Sequence, residues 1–321
     1  MRARNTNILK SLMLNDETYP IGTSGQKWND ADKQEWLSQQ IIRRSYQSNV
    51  LSVINKLSDD LAIHQYGKLQ YGDKAYPLIS VRNEYCSNKP NALITGGVHG
   101  YETSGVHGAL HFIEHHMSTY SDHFNLIVLP CISPWGYETI NRWNPETIDP
   151  NRSFVANSPA KESAAVFDYI TSLKLDLDLH IDLHETTDTD NSEFRPALAA
   201  RDNTYHPLWE IPDGFYLVGD SENPCNDFQA HIIEAVSQVT HIAPADENTR
   251  IIGEPISQTG VINYATKKLG LCTGFSDATF NTTTEVYPDS PKVDDNNCAQ
   301  AQVSAICSAL NFVRNSIEKH K

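Results

Sequence analysis

In TGGVHGYETSG, residues 95–105, a glycine turn delivers His99 and Glu102 three positions apart at the mouth of an expected helix. Residues three apart on a helical turn are neighbours, so an imidazole nitrogen and a carboxylate oxygen there can reach one metal ion. Alone, HxxE fits a structural or solvent-facing turn equally well. A second segment, LHIDLHET at residues 179–186, offers His180 and His184 four apart. On a helix that spacing is a metalloprotease pattern, but it needs a glutamate directly after the first histidine, and Ile181 stands there. The segment also alternates strictly: Leu175, Leu177, Leu179, Ile181 and Leu183 are separated by Asp or His. Period two means a strand, in which residues four apart lie roughly 13 Å from each other. Only one of the two histidines can then serve. His184, beside Glu185 and Thr186 at the strand's end, is the better candidate, because sites in α/β folds gather outside the carboxyl ends of strands. His180 reads as an inner-face histidine held by hydrogen bonds.

A rival set is His107, His111 and His115, one helical stripe that either binds a metal or is simply a polar, partly packed face. Arg142, Asn151 and Arg152 lie in NRWNPETIDPNRSF, residues 141–154. Guanidinium forks suit carboxylates and oxyanions, although surface salt bridges explain two arginines as well. Glu285, in TTTEVYPD, is a strand-end carboxylate with nothing intrinsically catalytic about it.

The elements that must position these groups follow from periodicity. Residues 28–61 have helical spacing, with Asn29 or Asp30 as cap, and residues 76–81 and 92–95 read as strands, the latter stopped by Gly96 and Gly97. Helices are predicted over 104–116, 159–173 (Ser158 capping, Pro159 in the first turn), 227–239 and 298–317. Strands are predicted over 125–129, 175–184, 271–275 and 282–287, and residues 133–152, with three prolines, form a long ordered loop. Strands alternating with helices favour a layered α/β sheet. One domain over residues 1–321 is the simplest organisation, with 1–91 as an N-terminal extension packed on a core of 92–321.

Bulk properties narrow the partners. A formal net charge of −15 opposes a phosphate backbone, so nucleic acid is not expected. Residues 1–20 mix Arg2, Arg4, Lys10, Asp16 and Glu17 among apolar residues, unlike a signal peptide, and no stretch is apolar enough for a membrane helix. A cytoplasmic chain with no membrane partner is expected. The six scattered cysteines contain no CxxC pair and read as reduced thiols.

Taken together, HGYE (99–102), RWNPETIDPNR (142–152), DLHETT (182–187) and TTTEVY (282–287) resemble, in order and spacing, the zinc carboxypeptidase family, with succinylglutamate desuccinylases and aspartoacylases as remoter kin. The resemblance is to a bacterial metallocarboxypeptidase-like branch and spans about 200 residues. It implies a three-layer α/β/α fold with a mixed central sheet, and one Zn2+ per chain held by His99, Glu102 and His184. By the same resemblance Glu285 is the general base, Arg142 steadies the oxyanion, and Asn151 with Arg152 grips a substrate's free carboxylate. The substrate it implies is a peptide cut at its C-terminal bond; the alternative is an N-acyl amino acid, and a non-catalytic carboxylate binder is the third reading. Pro150 stands where the family often has Leu, DLHETT is nearer the deacylase branch, and Tyr264 is the best match for the substrate-covering tyrosine. Asp188, Asp190 and Glu193 either form a pocket for a basic C-terminal residue or a solvated acidic loop.

Overall fold

A computed structural model describes residues 19–58 and 60–319. The reading of residues 1–20 as lacking a signal peptide therefore lies, up to residue 18, outside the described residues. The chain divides into two compact units, one drawn from Met1–Gln40 and Thr189–Leu208, the other from Ile41–Asp188 and Trp209–Lys321.

In the smaller unit, α1 (Asp30–Ser38) starts at a capping box: Asn29 accepts from Ala31 and Asp32 amides while Asp32 accepts from the Asn29 amide. The same unit holds α7 (Arg195–Asp202), which ends on Asn203 in the left-handed conformation. Its Arg201 carbonyl accepts from the Trp28 amide.

The larger unit contains, in chain order, α2 (Ser52–Ile54), β1 (Ala62–Tyr71), β2 (Lys74–Arg82), β3 (Asn91–Gly96), α3 (Thr103–His115), α4 (Met117–Ser121), β4 (Asn125–Leu129), α5 (Pro134–Thr139), α6 (Lys161–Leu173), β5 (Leu179–Glu185), β6 (Tyr216–Asp220), α8 (Asn226–Val236), the two-residue strands β7 (Arg250–Ile251) and β8 (Glu254–Pro255), β9 (Val261–Tyr264), β10 (Phe280–Val286) and α9 (Asp295–Lys319). Eight strands form one mixed sheet in the order β1-β2-β4-β3-β5-β10-β6-β9. The centre, β4-β3-β5-β10, is parallel, β1 and β2 pair antiparallel to their neighbours, and β6 is antiparallel to β10 but parallel to β9. Helices cover both faces, the three-layer α/β/α arrangement that was expected. On one, Val166, Tyr169 and Ile170 of α6 pack on Leu93, Ile127 and Leu129. On the other, α3 and α9 lie together over β5. Among the described residues no helix is long and apolar enough to cross a membrane.

Several elements differ from the sequence reading. The expected helix over 28–61 is interrupted: after α1 the chain is irregular until Gln47–Leu51 and α2, with Ile41 and Ile42 each 60% exposed. The expected strand over 271–275 is a 3-10 turn, Cys272–Phe275, whose first amide is bound by the Asn151 side chain rather than by a neighbouring strand. Helix α6 begins two residues later than expected, capped by Ala160, because the Ser158 hydroxyl closes a local turn on the Ala160 amide. Residues 62–82, assigned by the sequence to the N-terminal extension, supply two strands of the sheet.

Candidate metal centre

Every residue of β5 is buried, so its alternation separates two interiors rather than inside from outside. Leu179, Ile181 and Leu183 line one face and Glu185 ends it, while His180, Asp182 and His184 share the other face with Leu93 and Thr95, their register partners on β3 being Leu93 for His180 and Thr95 for Asp182. On the other neighbour, β10, Glu285 is the register partner of His184, so the two side chains leave adjacent parallel strands on the same face.

The loop after β3 carries His99 and Glu102. Gly97 turns it with φ +60°, a left-handed conformation that glycine adopts without strain. Gly100 then lies so close to α5 that a Cβ would meet the Tyr137 amide nitrogen at 2.0 Å and the Ser133 carbonyl at 2.4 Å. Arg44 braces the same loop. Its guanidinium donates to the carbonyls of Gly100, Tyr101 and Tyr137 and to the Thr103 hydroxyl, and lies 3.9 Å from the centre of the Tyr137 ring.

The loop thus held places Glu102 between two imidazoles. Its Oε1 is 2.7 Å from His99 Nδ1 and its Oε2 is 2.6 Å from His184 Nδ1, and all three residues are 1–2% exposed. Among the described residues these three form the one cluster of His, Cys, Asp and Glu able to hold a metal ion, with ligand atoms within 4.8 Å of one another. Oε2 of Glu102 is buried yet makes no hydrogen bond, despite its closeness to His184. Oxygen and nitrogen brought together without hydrogen-bond geometry is the arrangement of two donors facing one cation, and two imidazoles with one carboxylate is a donor set that zinc accepts while keeping a position open. The residues present fit the metal. Electrostatics agree: burial opposes ionisation of Glu102, but His184 and His99 outweigh it and bring its pKa down to about 2.

Outside this trio stand two carboxylates that sequence reasoning did not single out. Asp149 Oδ1 lies 2.9 Å from His99 Nε2 and its Oδ2 accepts from Arg142 Nε at 3.1 Å. Burial would raise its pKa, but Arg142 and then His99 hold it well below the usual carboxylate range. Asp182 Oδ2 lies 2.7 Å from His184 Nε2. Asp149 stands in the very DPNR run that contains Asn151 and Arg152, and the signal available was chemical: a ligating histidine wants a carboxylate on its second nitrogen. Glu185 was missed too. Its carboxylate accepts from the Ser104 amide at 2.5 Å in the first turn of α3, and burial pushes its pKa up to about 7.

The remaining expected residues fall around this core. Asn151 is buried, its Oδ1 accepting from the Cys272 amide at 2.8 Å and its Nδ2 lying 3.3 Å from His184 Nε2. Arg152 is exposed and donates from Nη1 to the Asn151 carbonyl. Arg142 is half-buried and tied to the trio through Asp149. Glu285, half-buried, accepts from the Thr186 hydroxyl at 2.9 Å, and that hydroxyl also lies 2.6 Å from the Tyr216 phenol. Tyr264 ends β9, half-buried. His180 is fully buried, hydrogen-bonded to Thr95 and Ser276. His107 lies 3.2 Å from the Tyr137 phenol, and the stripe it forms with His111 and His115 contains no metal-holding cluster among the described residues. Asp188 belongs to the larger unit, where it accepts from the Tyr287 phenol; Asp190 and Glu193 belong to the smaller. All six cysteines are free thiols.

The fold and cluster define a mixed-sheet α/β protein with a His-Glu-His cluster able to hold a metal ion at the carboxyl ends of its central strands. The chain belongs to the zinc carboxypeptidase family, whose sequence profile matches residues 37–311. No curated protein matches it. Among solved structures it is similar to a candidate metallopeptidase of Shewanella amazonensis (20% identity, TM-score 0.63, covering 86% of this chain and 99% of that one). It is also similar to a metallo-carboxypeptidase of Burkholderia cenocepacia (14%, 0.56, 84% and 68%). A third is a metallo-carboxypeptidase of Pseudomonas aeruginosa in complex with (2-guanidinoethylmercapto)succinic acid (13%, 0.53, 89% and 69%). At these identities the structures share the fold. Nothing in the comparisons favours the N-acyl amino acid deacylase alternative.

Proposed function

We propose that this chain is a zinc-dependent metallocarboxypeptidase that hydrolyses the C-terminal peptide bond of a substrate with a free carboxylate, using one Zn2+ held by His99, Glu102 and His184. The observation that carries the reading is the placement of both Glu102 oxygens against Nδ1 of His99 and His184, with Glu285 beside His184 in strand register. Bound there, zinc would lower the pKa of a water towards about 7 and polarise the carbonyl to be attacked.

The chain's own groups then divide the work. Glu285 takes the proton from the attacking water and returns it to the leaving amine, with the Thr186 hydroxyl orienting its carboxylate. Arg142 stabilises the negative charge growing on the carbonyl oxygen. Asn151 and Arg152 hold the terminal carboxylate, which restricts cutting to the last residue. Family membership supports the peptidase over a small-molecule deacylase.

Purified protein should bind about one zinc per chain, and a series of peptides of increasing length should be shortened one residue at a time from the C-terminus. Glu285→Gln should retain zinc and lose hydrolysis. A fully active Glu285→Gln protein would remove Glu285 from its role, and cleavage confined to N-acyl amino acids would overturn the peptidase reading.

A further inference from the structure

His180 is the one histidine of the LHIDLHET segment that the proposed chemistry does not use, yet it is 0% exposed and hydrogen-bonded at both ring nitrogens. It ends a continuous buried chain: His184 Nε2 to Asp182 Oδ2 at 2.7 Å, Asp182 Oδ1 to Thr95 Oγ at 2.6 Å, Thr95 Oγ to His180 Nε2 at 3.1 Å, and His180 Nδ1 to Ser276 Oγ at 2.9 Å. Thr95, His180 and Asp182 are 0% exposed and His184 is 1% exposed.

The shortest contacts set the directions of these bonds. A carboxylate only accepts, so Asp182 takes a proton from His184 on one oxygen and from Thr95 on the other. The Thr95 hydroxyl donates its one proton to Asp182, its shortest contact, and accepts from His180 Nε2 at 3.1 Å, a closer and stronger donor than the Cys272 thiol at 3.6 Å, so His180 carries its proton on Nε2. His180 Nδ1 is then an acceptor, and the Ser276 hydroxyl donates to it in preference to the Thr273 carbonyl, which lies farther away at 3.3 Å. At the other end, the proton on His184 Nε2 leaves Nδ1 with a bare lone pair, and Nδ1 is the nitrogen that faces Glu102 Oε2 at 2.6 Å. Asn151 Nδ2, at 3.3 Å from His184 Nε2, is a donor beside a donor and a weaker neighbour than Asp182 at 2.7 Å.

We infer that Ser276, His180, Thr95 and Asp182 form a one-way hydrogen-bond relay that fixes the tautomer and orientation of His184, making Thr95 and His180 positioning residues for the metal centre. The inference rests on the zinc reading of His99, Glu102 and His184. Each link keeps the next from rotating, and the last presents Nδ1 to the ion, an outer-shell function whose loss generally weakens metal binding 10- to 100-fold.

The test is zinc affinity by chelator competition on the full chain, together with nitrogen NMR of the histidine rings. Wild type should bind zinc, with the ring protons of both His180 and His184 on Nε2. Thr95→Val and His180→Phe should weaken zinc about tenfold, and Thr95→Ser, which restores the hydroxyl, should return to within about twofold of wild type. Where a core variant does not fold, Ser276→Ala, at the partly buried end, should keep the His180 proton on Nε2, where Thr95 accepts it, and weaken zinc a few-fold. Wild-type failure to bind zinc would overturn the metal reading and the relay with it. Zinc binding by wild type with unchanged affinity in Thr95→Val, or His180 protonated on Nδ1, would overturn the relay alone.

Discussion

Asp149 sits between His99 and Arg142, with one carboxylate oxygen 2.9 Å from the imidazole Nε2 and the other 3.1 Å from the guanidinium Nε. One side chain thereby couples a metal-ligand candidate to the arginine assigned to the oxyanion. Asp149→Asn preserves shape but cannot accept from both sides with full charge, and should weaken zinc about 10- to 100-fold while lowering kcat. Isothermal titration with zinc, paired with steady-state kinetics at saturating metal, checks both effects. Loss of neither would leave Asp149 as a structural ion pair of Arg142.

The Thr186 hydroxyl holds Glu285 and belongs to neither the metal cluster nor the carboxylate grip. Hydrogen bonds to charged groups contribute about 1.5–3 kcal/mol, so Thr186→Val should lower kcat about tenfold or more with zinc content unchanged. Metal analysis and kinetics on the same preparation separate this from a general loss of structure.

Burial lowers the pKa of His180 to about 4, while the unfolded chain titrates it near 6.5. Between those values the unfolded state binds the extra proton, so stability falls as pH drops through about 6.5 and the loss levels off below about 4. The difference corresponds to about 3 kcal/mol. In metal-free protein, urea unfolding at a series of pH values should show the stability gap between wild type and His180→Gln shrinking by this order towards low pH. A gap independent of pH would mean that His180 is not held neutral.

Gly100 has no room for a side chain, since the atoms a Cβ would meet at 2.0–2.4 Å are all backbone. Gly100→Ala should therefore displace the loop from α5, costing about 3 kcal/mol or more and releasing zinc. Arg44→Ala removes the brace on the same loop and should reduce zinc affinity with a smaller loss of Tm. Thermal melts with and without zinc check both.

What the sequence made legible was whatever depends on local periodicity. The alternation around Ile181 and Leu183 marks the strand that carries both His180 and His184, and the apolar run of β4 is bounded to the residue. Strand β1 was missed because it is an exposed edge strand whose register shifts between Gln65 and Gly67, which erases period two. Leu271 and Cys272 read as a strand because they are buried, but burial there comes from packing under the site, not from a ladder. Arg44 was illegible for a different reason: it acts on backbone carbonyls 56 to 93 residues away, and carbonyls leave no trace in residue types.

The strand order has a consequence for how the molecule is made. β10 is the last strand in sequence, yet it lies between β5 and β6, which do not touch each other in the sheet. Without residues 280–286, β5 and β6 would each present an open inner edge, so the sheet closes only when that last strand inserts between them. That same strand brings Glu285. Closure of the sheet between β5 and β6 and arrival of Glu285 beside His184 are therefore one event, and a chain that lacks β10 lacks both.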